Sequence, residues 1–213
     1  MLKKVFISII LAAATFTASA QYLSGGFGGI EPVPGKSTVV KYAVKAGVNF
    51  TTVSGTSSAD FSMAPGFQIG AGLNLRWGYR SEFSRPGTGK FGFQPEIRYS
   101  NQSVSVGEDE KLTMNRVSLP LMFRIYPATT FYFELGPDFS YLFSTSPDNL
   151  SIGSDCYGVG ECSGLATDVA LGAGWESKAG FLAGVRYGLG VTALAENLPW
   201  RTQNVSLVIG WMF

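Results

Sequence analysis

The sequence predicts an all-β protein, an eight-stranded antiparallel up-and-down β-barrel that crosses a membrane. Three observations support this prediction. Apolar and polar residues alternate in eight separate segments after residue 38. Charged residues make up 15% of the chain and aromatic residues 14%, whereas a typical soluble domain is about 25% charged. No apolar run after residue 20 is long enough for a membrane helix, so strands are expected to cross the bilayer.

The first twenty residues have the pattern of a secretory signal peptide. Lys3 and Lys4 precede an apolar stretch, and Ala18-Ser19-Ala20 fits the small-x-small cleavage rule. We therefore expect a signal peptide at 1–20 that is cleaved on export. Residues 21–38 are rich in Gly and Pro, and they are expected to form a periplasmic leader ahead of a barrel domain at 39–213.

Each alternating segment is close to the ten or so residues that a tilted strand needs to cross a bilayer. The segments are 39–52, 67–79, 91–100, 115–126, 131–143, 168–176, 181–191 and 204–213. Short connections follow the fourth and sixth segments, and longer ones are expected near 53–65, 101–114, 144–164 and 193–203. Short turns that alternate with longer external loops are typical of outer-membrane barrels, although 80–90 is long for a turn.

Aromatic residues collect at the two ends of the predicted strands, as they do at the two interfaces of a bilayer. With the first strand running outward, the inner girdle contains Trp77, Tyr79, Phe91, Phe93, Phe123, Phe131, Phe133, Trp175, Phe181, Trp211 and Phe213. The outer ends carry Phe50, Phe67, Tyr99, Phe139, Tyr141 and Phe143. Outer-membrane lipid is the solvent that this apolar face is expected to meet.

A soluble eight-stranded barrel, such as a lipocalin, is the alternative fold. Its apolar face would point inward, and its charges and glycines would point outward. In this sequence one face carries the bulky aromatics while the other carries Gly, Ser, Asn and charges, which fits a narrow polar lumen. A soluble barrel would also not expose Trp and Phe at both rims, so the sequence favours the membrane barrel.

The opposite face of the strands carries charges of both signs. The predicted lumen contains Lys45, Arg76, Arg98, Arg116, Arg124 and Arg186 together with Glu96, Glu134, Asp138, Asp168 and Glu176. Because charges in a narrow interior must be paired or hydrated, this near balance predicts a network of ion pairs that fills the barrel. A narrow ion path or proton relay is the less favoured alternative.

Two further features concern export and assembly. Cys156 and Cys162 lie close together in the connection after the fifth segment, and in an exported chain such a pair predicts a disulfide. The chain ends on Phe213 after alternating apolar residues. This ending resembles the signal that barrel-assembly machinery reads, so that machinery is an expected partner during biogenesis.

The composition argues against several classes of function. There is no histidine, which excludes every mechanism that needs an imidazole. The net charge of +1 gives no electrostatic footprint for nucleic acid. We expect no catalytic residues, no metal and no cofactor, and therefore no enzyme.

Several stretches resemble, in order, successive strands of the PorT-type outer-membrane β-barrel proteins. These are "GFQPEIRYS", "NRVSLPLMFRIY", "FELGPDFSYLFS" and "GVRYGLGVT". The resemblance covers about residues 42–213, and Gln94-Pro95-Glu96, Leu119-Pro120-Leu121 and Gly136-Pro137 carry most of it. It implies an eight-stranded barrel in the outer membrane of a Gram-negative bacterium. The founding member of the family is tied to protein secretion across that membrane, and the resemblance supplies no catalytic residues.

These observations predict a small closed barrel with a structural or surface-contact role through its extracellular loops. Envelope proteins are its expected partners. The alternative is a component of a protein secretion apparatus, which a periplasmic segment such as 21–38 or 80–90 would join. A narrow solute channel is a third and weaker possibility, because the predicted charges of the lumen are balanced.

Overall fold

The computed structural model describes residues 38–54, 61–78, 89–106, 110–147, 149–152, 155–158, 164–193 and 201–213. For residue 110 and for the segments 149–152 and 155–158 it describes the backbone alone. The predicted signal peptide and almost all of the leader lie outside these residues.

The described residues form a closed antiparallel barrel of eight strands, with a small hairpin in one connection. The barrel strands are β1 (Val39–Ser54), β2 (Phe61–Trp77), β3 (Phe91–Val106), β4 (Glu110–Ile125), β5 (Phe131–Ser146), β8 (Gly164–Glu176), β9 (Phe181–Gly190) and β10 (Arg201–Met212). The hairpin consists of β6 (Asn149–Ile152) and β7 (Asp155–Gly158). Each barrel strand pairs with its neighbours in the chain, and β10 pairs with β1 to close the wall. The predicted fold class is confirmed.

We call the two ends of the barrel inner and outer. The inner end holds the turns at 126–130 and 177–180, the start of β1 and the end of β10. The turn at 177–180 relies on Gly180, which has a φ of 103° that disfavours other residues. The outer end holds the connections after β1, β3, β5 and β9.

The strands extend further at the outer end than the sequence predicted. β2 begins at Phe61, β3 continues to Val106, and β4 begins at Glu110, so most of the predicted loop at 101–114 is strand. Beyond the outer aromatic ring the polarity of the two faces is reversed, because Asn115 and Thr113 face outward while Leu112 and Met114 are buried inside. A pattern of apolar residues on the outward face therefore does not predict these extensions.

The hydrogen-bond register is staggered round the wall. Starting from Asn49 and following its pairing partners from strand to strand returns to β1 at Val39 instead of Asn49. This path runs through Ser206, Arg186, Gly172, Glu134, Arg124, Gly92 and Arg76. Such a stagger accompanies strands that are tilted against the barrel axis. It also brings the functional groups of several strands to neighbouring positions in the lumen.

The two faces of the wall differ in the way a lipid environment requires. Between the aromatic rings the outward side chains are apolar and exposed, as Phe123 (59%), Ile209 (58%) and Leu171 (55%) show. The inward side chains are mostly charged or polar and buried. Among the described residues there is no helix long and apolar enough to cross a membrane.

Candidate functional site

The centre of the lumen is occupied by a cluster of five charged side chains, which we call the central cluster. It consists of Lys45 on β1, Glu96 on β3, Arg124 on β4, Glu134 on β5 and Arg186 on β9. All five are buried. Three cations and two carboxylates therefore share one enclosed space.

Arg186 joins the two carboxylates of the central cluster. Its Nη1 donates to Glu96 Oε2 at 3.1 Å, and its Nη2 donates to Glu96 Oε1 at 3.0 Å. Its Nε donates to Glu134 Oε1 at 2.7 Å. Bonds of this charge-assisted kind are the strong ones in proteins, and the planar guanidinium fork is suited to forming several at once.

Each carboxylate of the central cluster also binds a second cation. Lys45 Nζ forms an ion pair with Glu96. Arg124 donates to Glu134 Oε2 from Nε at 2.9 Å and from Nη2 at 2.7 Å. The three inner members of this chain of charges, Glu96, Arg186 and Glu134, therefore each have two charged partners, and the cluster forms a continuous bridge across the lumen.

Small residues in the wall make room for the central cluster. Gly172 lies between Glu134 and Arg186 in the pairing register. A Cβ at that position would stand 3.0 Å from Glu134 Oε1, too close for an undisturbed contact. The glycine thus allows Glu134 to lie flat against β8 on its way to Arg186.

Aromatic rings lie beneath the central cluster, toward the inner end. The Arg124 guanidinium lies 3.8 Å from the centre of the Tyr132 ring, and that of Arg76 lies 3.6 Å from the Tyr126 ring. The two tyrosine rings are 5.8 Å apart. Cation–π contacts of this kind stabilise desolvated guanidinium groups.

The inner end is further closed by apolar and amide side chains. Ala43, Leu182 and Met212 form a buried apolar cluster. Asn74 Nδ2 donates to Gln94 Oε1 at 3.0 Å and to the Tyr126 hydroxyl at 2.9 Å. The inner mouth is therefore packed with protein side chains.

A second group of ion pairs lies on the outer side of the central cluster. Arg98 pairs with Asp138, and its Nε donates to Ser118 Oγ at 3.1 Å. Arg116 Nη1 lies 3.5 Å from Asp168 Oδ2. Two cations and two carboxylates make this group electrically neutral, whereas the central cluster has a surplus of one positive charge.

Oxygen atoms without a protein hydrogen-bond partner surround the second group. They occur on neighbouring strands in register, where Gln68 pairs with Ser100, Asp138 with Asp168, and Thr51 with Asn204. Buried oxygens of this kind are ordinarily bonded to internal water. This layer of the lumen is therefore polar but not linked by a continuous set of side-chain hydrogen bonds, unlike the central cluster.

The outer mouth is lined with buried apolar side chains. Val104 on β3 and Leu112 and Met114 on β4 are completely inaccessible to solvent. Leu142 on β5 and Val53 on β1 are buried nearby in the outer part of the barrel. Among the described residues the outer mouth of the lumen is thus mainly apolar, whereas the inner end combines apolar side chains with amides, Arg76 and the Lys41–Glu176 ion pair. The cavity beside Lys45, Glu96 and Arg186 has about 10 Å³ of room, enough for one water molecule.

The structure places all eleven charged residues of the predicted lumen on the inner face. Nine of them form the two groups already described. Arg76 contacts Tyr126, and Glu176 pairs with Lys41, with 2.9 Å between the two charged atoms. Arg76 also donates from Nε to the carbonyl of Gly89 at 2.8 Å. Glu134 and Asp138, which are four positions apart on the inner face of β5, belong to different groups.

Several residues of the lumen were missed in the sequence. Lys41 was not assigned to the lumen, although the alternation that selects Lys45 also selects Lys41 and Ala43. Tyr126 and Tyr132 were not identified, because the search for rim aromatics considered only the outward positions. Both tyrosines occupy even-numbered positions that face inward, so strict use of the alternation would have found them.

Ten of the eleven predicted inner-girdle aromatics are described, and Tyr79 lies outside the described residues. Phe93 is half-buried, and the other nine are exposed outward on the wall. Some contact one another across strands, such as Phe93 with Phe123 at 5.0 Å and Trp175 with Phe181 at 6.2 Å. At the outer ring Tyr99 lies 5.8 Å from Phe67 and 6.3 Å from Phe143.

The end of the chain completes the closure of the barrel. The Phe213 amide donates to the Tyr42 carbonyl at 2.8 Å, and the Tyr42 amide donates to the Phe213 carbonyl at 3.3 Å. The Phe213 side chain remains 70% exposed on the outer surface of the wall. Its predicted role as an assembly signal stays a prediction.

Two predictions in the outer connection after β5 concern residues whose side chains are not described. Cys156 belongs to β7, where only the backbone is described, and Cys162 lies outside the described residues. The predicted disulfide therefore stays a prediction. In the part of the chain that the structure describes, no group of three His, Cys, Asp or Glu side chains could hold a metal ion.

Solved structures of several bacterial proteins are similar to this chain at low sequence identity. One is Ail, the attachment invasion locus protein of Yersinia pestis, in complex with the heparin analogue sucrose octasulfate. Its sequence is 14% identical to this chain, and the TM-score is 0.46 with 82% of this chain and 99% of that chain covered. Neisserial surface protein A is 13% identical, with a TM-score of 0.44 over 81% and 97%. The outer membrane protein OprG from Pseudomonas aeruginosa is 12% identical, with a TM-score of 0.39 over 85% and 99%.

No curated protein is similar enough in sequence to count as a relative. A family model is more informative, because the one described as "outer membrane protein beta-barrel domain" matches residues 36–196. This span includes the strands from β1 to β9, which carry every charged residue of the central cluster. The chain therefore belongs to the outer membrane protein beta-barrel domain family.

Proposed function

We propose that this outer-membrane protein is a closed barrel with a structural or surface-contact role, which it performs through its outer end. The observation that carries this proposal is the occupied lumen. The central cluster bridges the wall from β1 to β9, and apolar side chains close both mouths. A barrel filled in this way is suited to rigidity more than to transport.

The orientation of the barrel follows from the lengths and polarity of its two ends. We propose that the outer end faces the cell exterior, because there the strands continue beyond the aromatic ring with polar outward side chains such as Asn115 and Thr113. Extended strands that rise out of the membrane would hold the outer connections away from the lipid surface.

The outer connections are rich in acidic residues. Those at 55–60, 107–109, 148–163 and 194–200 contain no Lys or Arg, and their acidic residues are Asp60, Glu108, Asp109, Asp148, Asp155, Glu161 and Glu196. Charge complementarity favours cationic partners, such as basic segments of envelope proteins, over polyanions. An enzymatic role is not proposed, because Glu96 and Glu134 are both bonded to two cations, and no nucleic-acid partner fits the acidic outer end.

A role in a secretion apparatus is the alternative. The resemblance of the Pro95, Pro120 and Pro137 segments to PorT-type proteins supports it. The inner connection at 78–90 supports it as well, because it is long and contains Arg80, Arg85 and Lys90 beside a single acid, Glu82. A basic periplasmic segment of this kind could dock an acidic partner protein.

Two matched deletions distinguish these proposals in a strain that lacks the gene. One replaces 147–163 with a short turn, and the other removes 22–36. Under the surface-contact proposal the first variant fails to restore wild-type surface attachment and envelope integrity, whereas the second restores both. Under the secretion alternative, cargo remains in the periplasm of the null strain and only the first variant restores export. Unchanged export in the null strain would eliminate the alternative. Full restoration by the 147–163 replacement would contradict the main proposal.

A further inference from the structure

Three prolines lie in adjacent strands of the wall, between the two aromatic rings. Pro95 is on β3, Pro120 on β4 and Pro137 on β5. Proline has no backbone N–H to donate to a neighbouring strand, and for this reason it is rare in the interior of a sheet. In a membrane a proline in a strand costs more free energy, because lipid offers no donor for the carbonyl on the neighbouring strand that the proline leaves without a hydrogen bond.

The regular pairing of the strands is interrupted beside each proline. Between β2 and β3 the pairs stop at Gly72↔Glu96 and resume at Leu75↔Phe93. Between β3 and β4 they stop at Pro95↔Leu121 and resume at Arg98↔Ser118. Between β4 and β5 they stop at Pro120↔Asp138 and resume at Phe123↔Leu135. The three interruptions form one continuous line across four strands.

The opposite wall has no such line. The pairs between β8 and β9 run without interruption from Asp168↔Gly190 to Glu176↔Leu182. Those between β5 and β8 are equally continuous from Phe131↔Trp175 to Leu142↔Gly164. The weakness is therefore confined to one side of the barrel, and it is not a general property of the wall.

Close packing replaces the missing hydrogen bonds along this line. A Cβ on Gly136, the residue before Pro137, would collide with the carbonyl oxygen of Leu121 on β4. A Cβ on Gly72 would stand 2.7 Å from the carbonyl oxygen of Pro95. Carbonyl oxygens thus lie against glycine Cα atoms, where they can accept only weak Cα–H···O bonds. The backbones of the strands touch here without regular pairing, and the side-chain hydrogen bond between Asn74 and Gln94 links β2 and β3 across the first interruption.

We propose that the three prolines form a lateral seam along which the wall between β2 and β5 opens locally in the membrane. The seam is the part of the wall that yields, since the other five ladders round the barrel run without a break and side chains close both mouths. The inward side chains Gln94, Glu96 and Met122 lie directly behind it. Opening would expose these side chains of the lumen to the bilayer while the ion pairs keep the rest of the barrel together.

Amide hydrogen exchange of the full-length mature protein in phospholipid nanodiscs tests the seam. Local opening sets the exchange rate of amides in folded structure. Peptides from 92–98, 118–123 and 134–138 should exchange at least about tenfold faster than peptides from 169–175 and 183–189, because the seam lacks the hydrogen bonds of an intact ladder. Equal rates on the two sides of the wall would overturn the proposal with no variant required.

Variants then test whether the prolines are the cause. P95V and P120V each restore an N–H donor, and each should slow exchange at the seam about tenfold. P65V is the matched control, because Pro65 lies in β2 outside the seam and pairs with Phe50. It should leave the exchange of the seam peptides 92–98, 118–123 and 134–138 unchanged. Fast exchange that persists in folded P95V and P120V would assign the mobility to another cause and would also overturn the proposal.

Discussion

Arg186 on β9 and Glu96 on β3 are bonded to each other across the lumen although they are 90 positions apart in the chain. In the order of strands round the barrel, β9 and β3 stand four places apart in either direction, on opposite sides of the wall. The bidentate contact therefore spans the diameter of the barrel. It acts as a brace, because Arg186 also bonds Glu134 on β5.

Removal of this brace should destabilise the barrel strongly. The Arg186→Met substitution keeps the bulk of the side chain but leaves Glu96 and Glu134 with one cation each in a buried site. Loss of one partner from a buried ion pair costs about 3–5 kcal/mol. Urea unfolding of the protein in lipid vesicles, followed by tryptophan fluorescence, measures the change.

Lys41→Met is the matched control for this experiment. Lys41 pairs with Glu176, but its side chain is 34% exposed. Water at the exposed Lys41 position can replace part of the contact that the buried Glu176 carboxylate loses, so this variant should be destabilised less than Arg186→Met. If the two variants had the same free energy of unfolding, the central cluster would only fill the lumen and would not hold the opposite strands together.

A double-mutant cycle should show that Arg124 and Glu134 are strongly coupled. Each single change to a neutral residue, Arg124→Met or Glu134→Gln, leaves a buried charge short of its partner, whereas the double variant leaves neither of the two charges. The coupling energy is expected at the upper end of the range for contacting residues, about 2–3 kcal/mol. Additive effects in the same unfolding assay would mean that contact with the Tyr132 ring, and not the ion pair with Glu134, accounts for the contribution of Arg124 to stability.

The fold could be predicted because a membrane barrel imposes a simple rule on its sequence. Between the aromatic rings each strand must place apolar residues outward, and the segment 204–213 shows this pattern most clearly. The rule fails above the membrane, where water meets the outward face. Asn101, Ser105 and Thr113 therefore did not look like strand residues, although they belong to β3 and β4.

The site could be predicted as a set of residues but not as a network. Alternation alone assigns Glu96 and Arg186 to the inner face. Their pairing depends on the stagger of the register, which one strand cannot reveal because it accumulates over all eight. The seam was hidden for the same reason, since Pro95, Pro120 and Pro137 become neighbours only after the strands are aligned.

A charge on the lipid-facing side of the wall should be costly in the membrane and harmless above it. Leu171 is 55% exposed on β8 between the aromatic rings. Leu171→Arg should destabilise the folded barrel by about 2–4 kcal/mol in vesicles. Thr113→Arg, on the outward face of β4 beyond the rings, should change stability by less than about 0.5 kcal/mol. Similar losses for both would show that the membrane extends above the outer aromatic ring.

The filled lumen should not conduct ions. Purified wild-type protein in a planar bilayer should give no discrete current steps, because the central cluster bridges the lumen and buried side chains close both mouths. A known porin serves as the positive control and a mock preparation as the negative control. Reproducible steps that the mock preparation lacks would contradict a closed barrel and would favour the channel alternative.

The predicted disulfide between Cys156 and Cys162 should be present in the exported protein and should act locally. Iodoacetamide should add no mass to the unreduced mature protein, and it should add two alkyl groups after reduction. The ring it would close is small and lies in an outer connection, so the cross-link restricts only that connection. C156S/C162S should therefore keep the urea midpoint of the barrel but make the segment 147–163 more sensitive to protease. Alkylation without reduction would show that the two thiols are free, and a lowered barrel midpoint would show that the connection helps to hold β5 and β8 together.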